Sequence, residues 1–412
     1  MPWHRRWIHY FSGMRNDEIK LSKEAYITLL IHGCFQVGAS MSALFLNLYL
    51  WRLTEDLRVN GLFNMIMYGV TPFAFAIGGW IAKKRDRMVT YRLGIVMIAL
   101  FFMSVIVAGR YVAAYYPLFG LLYGMALGLY WVGYIVLMYD VTDVRSRAKF
   151  LATNIIVFNF AGLVGPALSG YLIGQFEGLK GYVVTFSVAC CLFALASLFS
   201  TRIRQIRSKR RTYYFKYSLL MMKRDRVWVR ALFSFFFLGL FQGIMLFLPN
   251  ILLYQTIGRE DRVGLLAVLF ALLMIMTGFV LSRRSNRSNV RGELLVSSTC
   301  VIAASCLLLA DVSAWTVIGY MVVFSLFNPV TVNTLTSYYY GLMDFLPLKG
   351  NFRIESVVLR EFFLNAGRVI SILLLIVLAG EPSSALLPYV LIGTALLQYV
   401  MIAFVKRDSV KR

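Results

Sequence analysis

The sequence predicts an all-α membrane protein with twelve transmembrane helices in two pseudo-symmetric six-helix bundles. The composition, the spacing of long apolar segments and a weak internal repeat lead to this fold class. Of the 412 residues, 59% are hydrophobic and only 15% are charged, and the mean hydropathy is +0.71. Soluble domains are about 45–50% apolar and about 25% charged. The composition therefore excludes a soluble enzyme, a disulfide-rich scaffold and a disordered chain.

Twelve long apolar segments account for most of the chain. One bilayer crossing takes about 20 residues, so that twelve crossings need roughly 240 residues. This number is close to the number of hydrophobic residues, which make up 59% of the 412. The predicted spans, numbered 1 to 12, are 25–50, 60–82, 92–109, 117–139, 150–173, 181–200, 229–254, 263–281, 293–310, 314–340, 356–379 and 385–405.

The positive charge is concentrated on one side of these spans. The net charge is +23, from 42 Lys and Arg against 19 Asp and Glu. If the N-terminus is cytoplasmic, 34 of the basic residues lie on the cytoplasmic side, six lie on the other side, and two (Arg360 and Arg368) lie within span 11. Cytoplasmic loops of membrane proteins are enriched in Lys and Arg. We therefore predict cytoplasmic termini, a cell-membrane location and basic loops facing lipid headgroups, with no nucleic-acid partner.

The longest connection divides the chain into two halves. We predict a cytoplasmic N-terminal segment at 1–24, an N-terminal bundle at 25–200, a basic linker at 201–228, a C-terminal bundle at 229–405 and a cytoplasmic tail at 406–412. The segment 1–24 has no signal-peptide core. Both a short interfacial helix and an ordinary tail fit its basic and aromatic composition.

Chemical motifs of enzymes and cofactor sites are missing from the sequence. The five cysteines lie inside apolar spans without metal or disulfide spacing, which indicates small packing residues. We find no phosphate-binding loop, metal cluster or nucleophile constellation. The sequence therefore predicts neither a metal, nor a cofactor, nor an enzyme.

Short segments recur between the two halves in the same order. Residues 33–36 (GCFQ) match 239–242 (GLFQ), residues 79–82 (GWIA) match 278–281 (GFVL), and residues 161–164 (AGLV) match 366–369 (AGRV). The offsets of 206, 199 and 205 residues are each about half the chain. This pattern is typical of membrane proteins built from two related repeats.

With twelve spans, a 6+6 repeat and a long basic central loop, the chain resembles the major facilitator superfamily over nearly its whole length. The loop after span 2 reads GWIAKKRDR from Gly79 to Arg87, similar to the family's Gly-x-x-x-Asp-Arg-x-Gly-Arg signature. Lys83 replaces the usual Asp. The resemblance implies a cytoplasmic gate that includes Gly79, Arg87 and Asp140. We expect Glu355 to pair with Lys83, with the charges exchanged.

Span 5 resembles a motif of the family's exporters, Gly-x-x-x-Gly-Pro-x-x-Gly-Gly. Gly165, Pro166 and Gly170 occupy matching positions, while Ala161 and Ser169 stand at two others. Small residues allow close helix packing, and proline weakens the helical hydrogen bonding. A flexing helix of an exporter and plain tight packing are both consistent with the motif.

The resemblance implies that spans 1, 4, 7 and 10 line a central cavity. These spans contribute a wall rich in aromatic and amide side chains, which suits an amphipathic or moderately polar organic compound. His32 and Gln36 share one helical face. His32 could bind a proton or remain neutral and bonded to a neighbouring helix. The candidate binding residues on these spans are His32, Gln36, Tyr130, Trp131, Tyr134, Gln242 and Asn333.

Span 11 carries an unusual set of polar residues. Glu361, Asn365 and Arg368 fall within a sector of about 60° on a helix, and Arg368 lies about 18 Å along it, near the membrane midplane. We expect Arg360 to extend toward the cytoplasm. A Glu361–Arg368 pair could lock helices together or form a functional centre in which Arg368 holds negative charge and Glu361 carries a proton.

The sequence thus predicts a monomeric secondary active transporter that exports a small organic or amphipathic compound in exchange for protons by alternating access. Flipping of a lipid or a lipid-linked sugar is an alternative within transport. A receptor or scaffold without transport activity is an alternative from another class, and a membrane-embedded transferase would need acidic or histidine clusters that the sequence lacks.

The charge distribution predicts the topology. Cysteines introduced as Gln205→Cys or Asn286→Cys should react with membrane-impermeant thiol reagents only from the cytoplasmic side. Labelling of position 286 from outside intact cells would contradict the twelve-span topology.

Overall fold

A computed structural model describes residues 21–142, 146–203, 212–283, 289–343, 345–346, 352–381 and 384–406. Within these ranges all regular secondary structure is helical, and twelve helical segments are long and apolar enough to cross a membrane. They coincide with the twelve predicted spans, and the predicted fold class is confirmed. The part of the N-terminal segment before residue 21 and the labelling positions 205 and 286 lie outside the described residues.

The helices of the twelve spans extend one to five residues beyond most of the predicted boundaries, whereas span 12 is slightly shorter than predicted. In chain order they are Lys23–Thr54, Leu57–Lys84, Arg87–Ala108, Tyr116–Asp140, Ser146–Gly174, Lys180–Ser200, Arg226–Met245 with Leu248–Ile257, Glu260–Arg283, Val290–Ser305 with Leu307–Ala310, Ala314–Met343, Arg353–Leu378 and Leu387–Phe404. Two further helices connect spans: Tyr111–Ala114, and Phe215–Arg224 in the linker.

Short polar side chains define where several spans begin. The side chains of Ser22, Asp56, Asp86 and Asp225 each accept a hydrogen bond from a backbone N–H in the first turn of spans 1, 2, 3 and 7. Such N-caps satisfy N–H groups that have no partner within the helix. Asp86, in the loop after span 2, is therefore an N-cap of span 3.

Span 7, which we predicted as one continuous helix, is divided in two. The first helix ends at Met245 and the second starts at Leu248, with Pro249 in its first turn. Proline has no N–H, so the first helical turn accommodates it without the loss of a hydrogen bond. The apolar pattern continues across the break, which explains why hydropathy alone did not reveal it.

The two bundles repeat one packing pattern. In the N-terminal bundle span 2 packs on span 4, span 4 on span 3, span 3 on span 6, span 6 on span 1 and span 1 on span 5. In the C-terminal bundle spans 8, 10, 9, 12, 7 and 11 pack in the same order. Spans 2 and 11 and spans 5 and 8 form the main contacts between the bundles. We call the side on which the linker joins spans 6 and 7 the linker end, and the opposite side the far end.

Spans 7 and 11 approach each other at backbone distance. A Cβ atom at Gly239 would lie 2.0 Å from the carbonyl oxygen of Leu364, and one at Gly367 would lie 2.1 Å from the carbonyl oxygen of Phe236. Small residues allow membrane helices to pack this closely. The contact brings Arg368, which follows Gly367, against span 7.

We predict that Gly239→Ala lowers the melting temperature of the purified protein. The added methyl group has no space against the backbone of span 11, and overpacking typically costs about 1–3 kcal/mol. Gly278→Ala is the matched control, because no atom lies within 4 Å of its Cβ position. The control should match or slightly exceed the wild type, since alanine favours helices more than glycine. Equal melting temperatures of the two variants would contradict the proposed contact.

Candidate functional site

A guanidinium group lies near the middle of span 11. Arg368 is the sixteenth of 26 residues in this helix, about 22 Å from the helix start at a rise of 1.5 Å per residue. Its Nη2 donates to Oε1 of Gln242 on span 7 at 2.8 Å, and its Nη1 donates to Oδ1 of Asn365 at 3.2 Å. The guanidinium carbon lies 4.9 Å from the ring centroid of Tyr68, on span 2 of the other bundle.

The charge of Arg368 has no direct counter-ion in the described part of the chain. No carboxylate there lies within 4.0 Å of its guanidinium nitrogens, and its buried Nε has no hydrogen-bond partner. Gln242, Asn365 and Tyr68 are all neutral, so a permanent cation is held by dipoles and one aromatic face.

Glu361 lies on the same side of span 11 but does not contact Arg368 directly. Its Oε1 pairs with Nη2 of Arg360 at 2.7 Å, while Nδ2 of Asn365 donates to the Glu361 backbone carbonyl at 2.8 Å and to its Oε2 at 3.3 Å. Asn365 therefore bridges Glu361 and Arg368. The direct Glu361–Arg368 pair considered from the sequence is replaced by this bridge, because Arg360 is close enough to take the carboxylate.

Arg360 corrects a second expectation. We expected its side chain to extend toward the cytoplasm, but it is only 12% exposed. Its Nη1 donates to the hydroxyl of Tyr340 at 3.2 Å, and its guanidinium lies over the rings of Tyr340 and Phe235. With an acid and two aromatic rings beside it, the side chain stays inside the bundle.

His32 forms a separate, neutral cluster inside the N-terminal bundle. Its Nδ1 is 2.7 Å from the hydroxyl of Tyr130, its Nε2 is 3.3 Å from Nε2 of Gln36, and its ring stacks on Tyr134 at 3.9 Å. The amide nitrogen of Gln36 can only donate, so we assign Nε2 as the acceptor and Nδ1–H as the donor to Tyr130. Both ring nitrogens are thus occupied in the neutral form, which fits the second of the two interpretations left open by the sequence.

The remaining candidates on the expected cavity wall have different environments. Tyr130 and Tyr134 are buried against other side chains rather than lining open space, and the Tyr134 hydroxyl donates to Asn154 of span 5. Trp131 is half-buried, and its ring lies roughly perpendicular to that of His32. Asn333 is exposed.

An ion pair joins the two bundles at the linker end. Nζ of Lys83 on span 2 lies 2.5 Å from Oε1 of Glu355 on span 11, and Glu355 is fully buried. The structure therefore contains the pair with exchanged charges that we expected. Gly79 lies beside it, where a Cβ atom would be 3.1 Å from Ile354. The side chains of Arg87 and Asp140, the other predicted gate residues, lie outside the described part.

The linker contributes to this ion pair, which the sequence did not reveal. The backbone N–H of Tyr214 donates to Oε1 of Glu355 at 2.7 Å, and the rings of Tyr213 and Tyr214 lie 5.7 and 5.3 Å from Nζ of Lys83. Burial and the neighbouring Glu355 carboxylate raise the pKa of the Tyr213 phenol above its ordinary value. Tyr213 therefore remains neutral beside Lys83 at physiological pH.

A second ion pair joins the bundles at the far end, and sequence reasoning missed it. Arg52, at the end of span 1, pairs with Glu260, at the start of span 8. The Tyr182 hydroxyl donates to the same carboxylate at 3.3 Å, and the Arg52 guanidinium lies 6.0 Å from the ring centroid of Tyr254. The partners are 208 residues apart in the sequence and belong to no motif. The only signal in the sequence was that the short far-end loops carry few charges.

The small residues of span 5 lie in close contacts with two different helices. A Cβ atom at Gly165 would be 2.0 Å from Oγ of Ser40 on span 1, and one at Gly170 would be 2.9 Å from Cα of Gly264 on span 8. Pro166 lies inside the helix, and its carbonyl oxygen faces Gly264. Gly170 therefore lies in the contact between the bundles, where a moving helix and tight packing both need small residues.

No group of three or more His, Cys, Asp and Glu residues that could hold a metal ion occurs among the described residues.

Solved transporters share this architecture. The nucleoside transporter NupG matches 93% of this chain and 100% of its own at a TM-score of 0.67, with 14% identity. A D-xylose–proton symporter matches 93% and 97% of the two chains at a TM-score of 0.69, with 12% identity. At these identities the similarity establishes the fold alone.

Sequence comparisons identify the family. Uncharacterized protein YqgE of Bacillus subtilis (strain 168) is 30% identical over 358 residues, which are 86% of this chain and 83% of that protein. The model of the Major Facilitator Superfamily matches residues 116–347, more than half of the chain. The resemblance seen in the sequence is confirmed: the chain belongs to the Major Facilitator Superfamily and is a multi-pass membrane protein with that family's transporter fold.

Proposed function

We propose that this protein is a secondary active transporter that exports a small amphipathic organic compound carrying an anionic group in exchange for protons. It works by alternating access as a monomer in the cell membrane, with both termini in the cytoplasm. The observation that carries the proposal is the position of Arg368, a permanent cation in the middle of a span without a carboxylate partner among the described residues.

The energetics of Arg368 favour a role in binding. Placing arginine at the centre of a membrane helix costs at least about 2.5–3.5 kcal/mol even on the most lenient scale. A structural arginine would normally have an anionic partner to offset this cost. Here the Nε–H group is unsatisfied, and two further N–H groups meet neutral acceptors. An anionic ligand would provide the missing charge through strong charge-assisted hydrogen bonds.

The surroundings of Arg368 link the two bundles. Gln242 and Asn365 belong to the C-terminal bundle, whereas Tyr68 belongs to the N-terminal bundle. A ligand bound at this guanidinium would therefore contact both sides of the interface that alternating access must open. The Tyr68 ring supplies apolar surface beside the cation, which supports an amphipathic ligand rather than an inorganic anion.

Glu361 is the proposed proton carrier. Its carboxylate holds Arg360 and Asn365, and Asn365 in turn holds Arg368. Protonation of Glu361 would weaken its pair with Arg360 and release the amide of Asn365, and would thereby change the support of Arg368. His32 is a weaker candidate, because neutral groups already satisfy both of its ring nitrogens.

The interface geometry supports a small compound over lipid flipping. Spans 2 and 11 approach each other near the far end at Gly61 and Ile376 and near the linker end at Gly79 and Ile354. These contacts at both ends of the described helices argue against a lateral opening for a lipid tail between spans 2 and 11. The likeness of span 5 to exporters supports the outward direction.

A ligand screen tests the anion class without knowledge of the substrate. In thermal-shift measurements, carboxylate, sulfonate or phosphate compounds should stabilise the wild type, while their neutral amide or ester analogues should not. Arg368→Lys keeps the charge but loses the planar fork and should weaken binding at least about tenfold, as expected for a hydrogen bond to a charged group. Arg230→Lys, at an exposed position, is the control. Equal stabilisation of Arg368→Lys and wild type would contradict the binding role.

Transport assays separate the functional from the structural role of span 11. With a ligand from the screen, Glu361→Gln should still bind but should lose the dependence of transport on the proton gradient, because the amide cannot exchange a proton. Flux in proteoliposomes with and without an imposed gradient measures this loss. Recovery of coupled transport in the double variant Arg368→Leu with Glu361→Leu would show that the charges serve packing only.

Each of the two interbundle ion pairs should stabilise the closed form of its own end of the interface. Lys83→Ala leaves the buried Glu355 without its cation, and breaking a buried pair typically costs about 3–5 kcal/mol. The closed linker end should be destabilised, and spin labels placed across it should report longer distances. Glu260→Gln should lengthen distances across the far end instead. The exchange of charges in Lys83→Glu with Glu355→Lys should restore part of the linker-end closure. Unchanged distances in all three variants would rule out a gating role for the pairs.

A further inference from the structure

The linker helix Phe215–Arg224 has a mixed basic and apolar face that nothing in the described structure covers. Lys216, Leu219, Leu220 and Lys223 are all exposed, with Leu219 52% and Leu220 58% accessible. At about 100° per residue these four side chains share a sector of about 100°. The helix is anchored on its other side, where Ser218 and Met221 are buried. Two leucines flanked by lysines are typical of a helix that lies at a membrane surface.

A cavity with basic walls lies beside this face. It has a volume of about 550 Å³ and is lined by Tyr217, Met221, Arg224, Asp225, Arg226, Val227 and Phe345. The side chain of Asp225 already accepts two backbone N–H bonds as the N-cap of span 7. Arg224 and Arg226 are exposed, and Phe345 is 70% accessible. Two guanidinium groups beside an aromatic ring suit a phosphate group attached to apolar chains.

The same helix is connected to the linker-end ion pair. Tyr214, the residue before its first turn, donates its backbone N–H to Glu355, and Lys83 lies against the rings of Tyr213 and Tyr214. Span 7 begins at Arg226, directly after the helix, so that the helix ends where span 7 starts. A movement of the linker helix would therefore act on the contact between spans 2 and 11.

We propose that the linker helix is a binding site for anionic phospholipid, with the headgroup phosphate at Arg224 and Arg226 and the acyl region against Leu219 and Leu220. Bound lipid holds the helix at the membrane surface, and Tyr214 then stays on Glu355 and keeps the linker end closed. Charge complementarity identifies the occupant, because exposed cations predominate on this surface and the leucines exclude a purely aqueous ligand. The proposal concerns regulation and is independent of the transported compound.

Lipid binding is tested in nanodiscs. A bimane label at Leu220→Cys, in a variant without the five native cysteines, should be quenched more strongly by nitroxide-labelled phosphatidylglycerol than by nitroxide-labelled phosphatidylcholine. Each cation near an anionic surface contributes roughly fivefold to binding. The variant with Lys216→Gln, Lys223→Gln and Arg224→Gln should therefore lose the preference by at least about tenfold. The control variant with Lys149→Gln, Arg202→Gln and Lys406→Gln removes three exposed cations elsewhere and should keep the preference.

Coupling to the ion pair is measured by hydrogen exchange of the Tyr214 amide. In phosphatidylglycerol nanodiscs its exchange should be several-fold slower than in phosphatidylcholine nanodiscs, and the linker-helix variant should show the same exchange in both. Both triple variants should fold with the wild-type melting temperature, because all six side chains are exposed. Lipid-independent exchange in the wild type, or equal loss in the control variant, would overturn the proposal. Full protection by inorganic phosphate in phosphatidylcholine nanodiscs would identify a soluble anion as the ligand and would also overturn it.

Discussion

A guanidinium group in the middle of an apolar span must obtain its solvation from the protein, and the contact between spans 7 and 11 meets this constraint. Glycines at 239 and 367 allow spans 7 and 11 to approach at backbone distance, so that Gln242 can reach Arg368. Tyr68 completes the site from the other bundle. Neutral groups accept hydrogen bonds from two of the five N–H donors and leave the charge uncompensated. In the proposed function, this arrangement leaves the cation able to bind an anion.

The two halves use the same framework for different chemistry. Gln36 and Gln242 occupy equivalent positions in the repeat, and each bonds the central polar side chain of its own bundle. In the N-terminal bundle that side chain is His32, within a stack of aromatic rings. In the C-terminal bundle it is Arg368. In the proposed mechanism the C-terminal bundle therefore holds the charged part of the ligand.

One ion pair joins the two bundles at each end of their interface. In the proposed alternating access one end opens while the other stays closed, and each opening would break a pair between the bundles. Glu355 is fully buried, whereas Arg52 is 31% exposed. An unpaired buried charge costs more than one that water can reach. Breaking the pair at the linker end, where Tyr213 and Tyr214 also cover it, therefore costs more free energy than breaking the pair at the far end.

The sequence by itself determined the number of spans, the repeat, the family and the presence of several polar and charged residues within span 11. Apolar length and local motifs carry this information, because the bilayer imposes one length and one polarity on every span. Only the tertiary structure decided which polar groups meet. Glu361 pairs with Arg360 rather than with Arg368, and Arg52 pairs with Glu260, which is 208 residues away in the sequence. The backbone N–H of Tyr214 in the linker donates to Glu355. Which side chains form contacts depends on their distance and direction in three dimensions. These depend on how one helix packs on another, which neither helical periodicity nor the count of charges predicts.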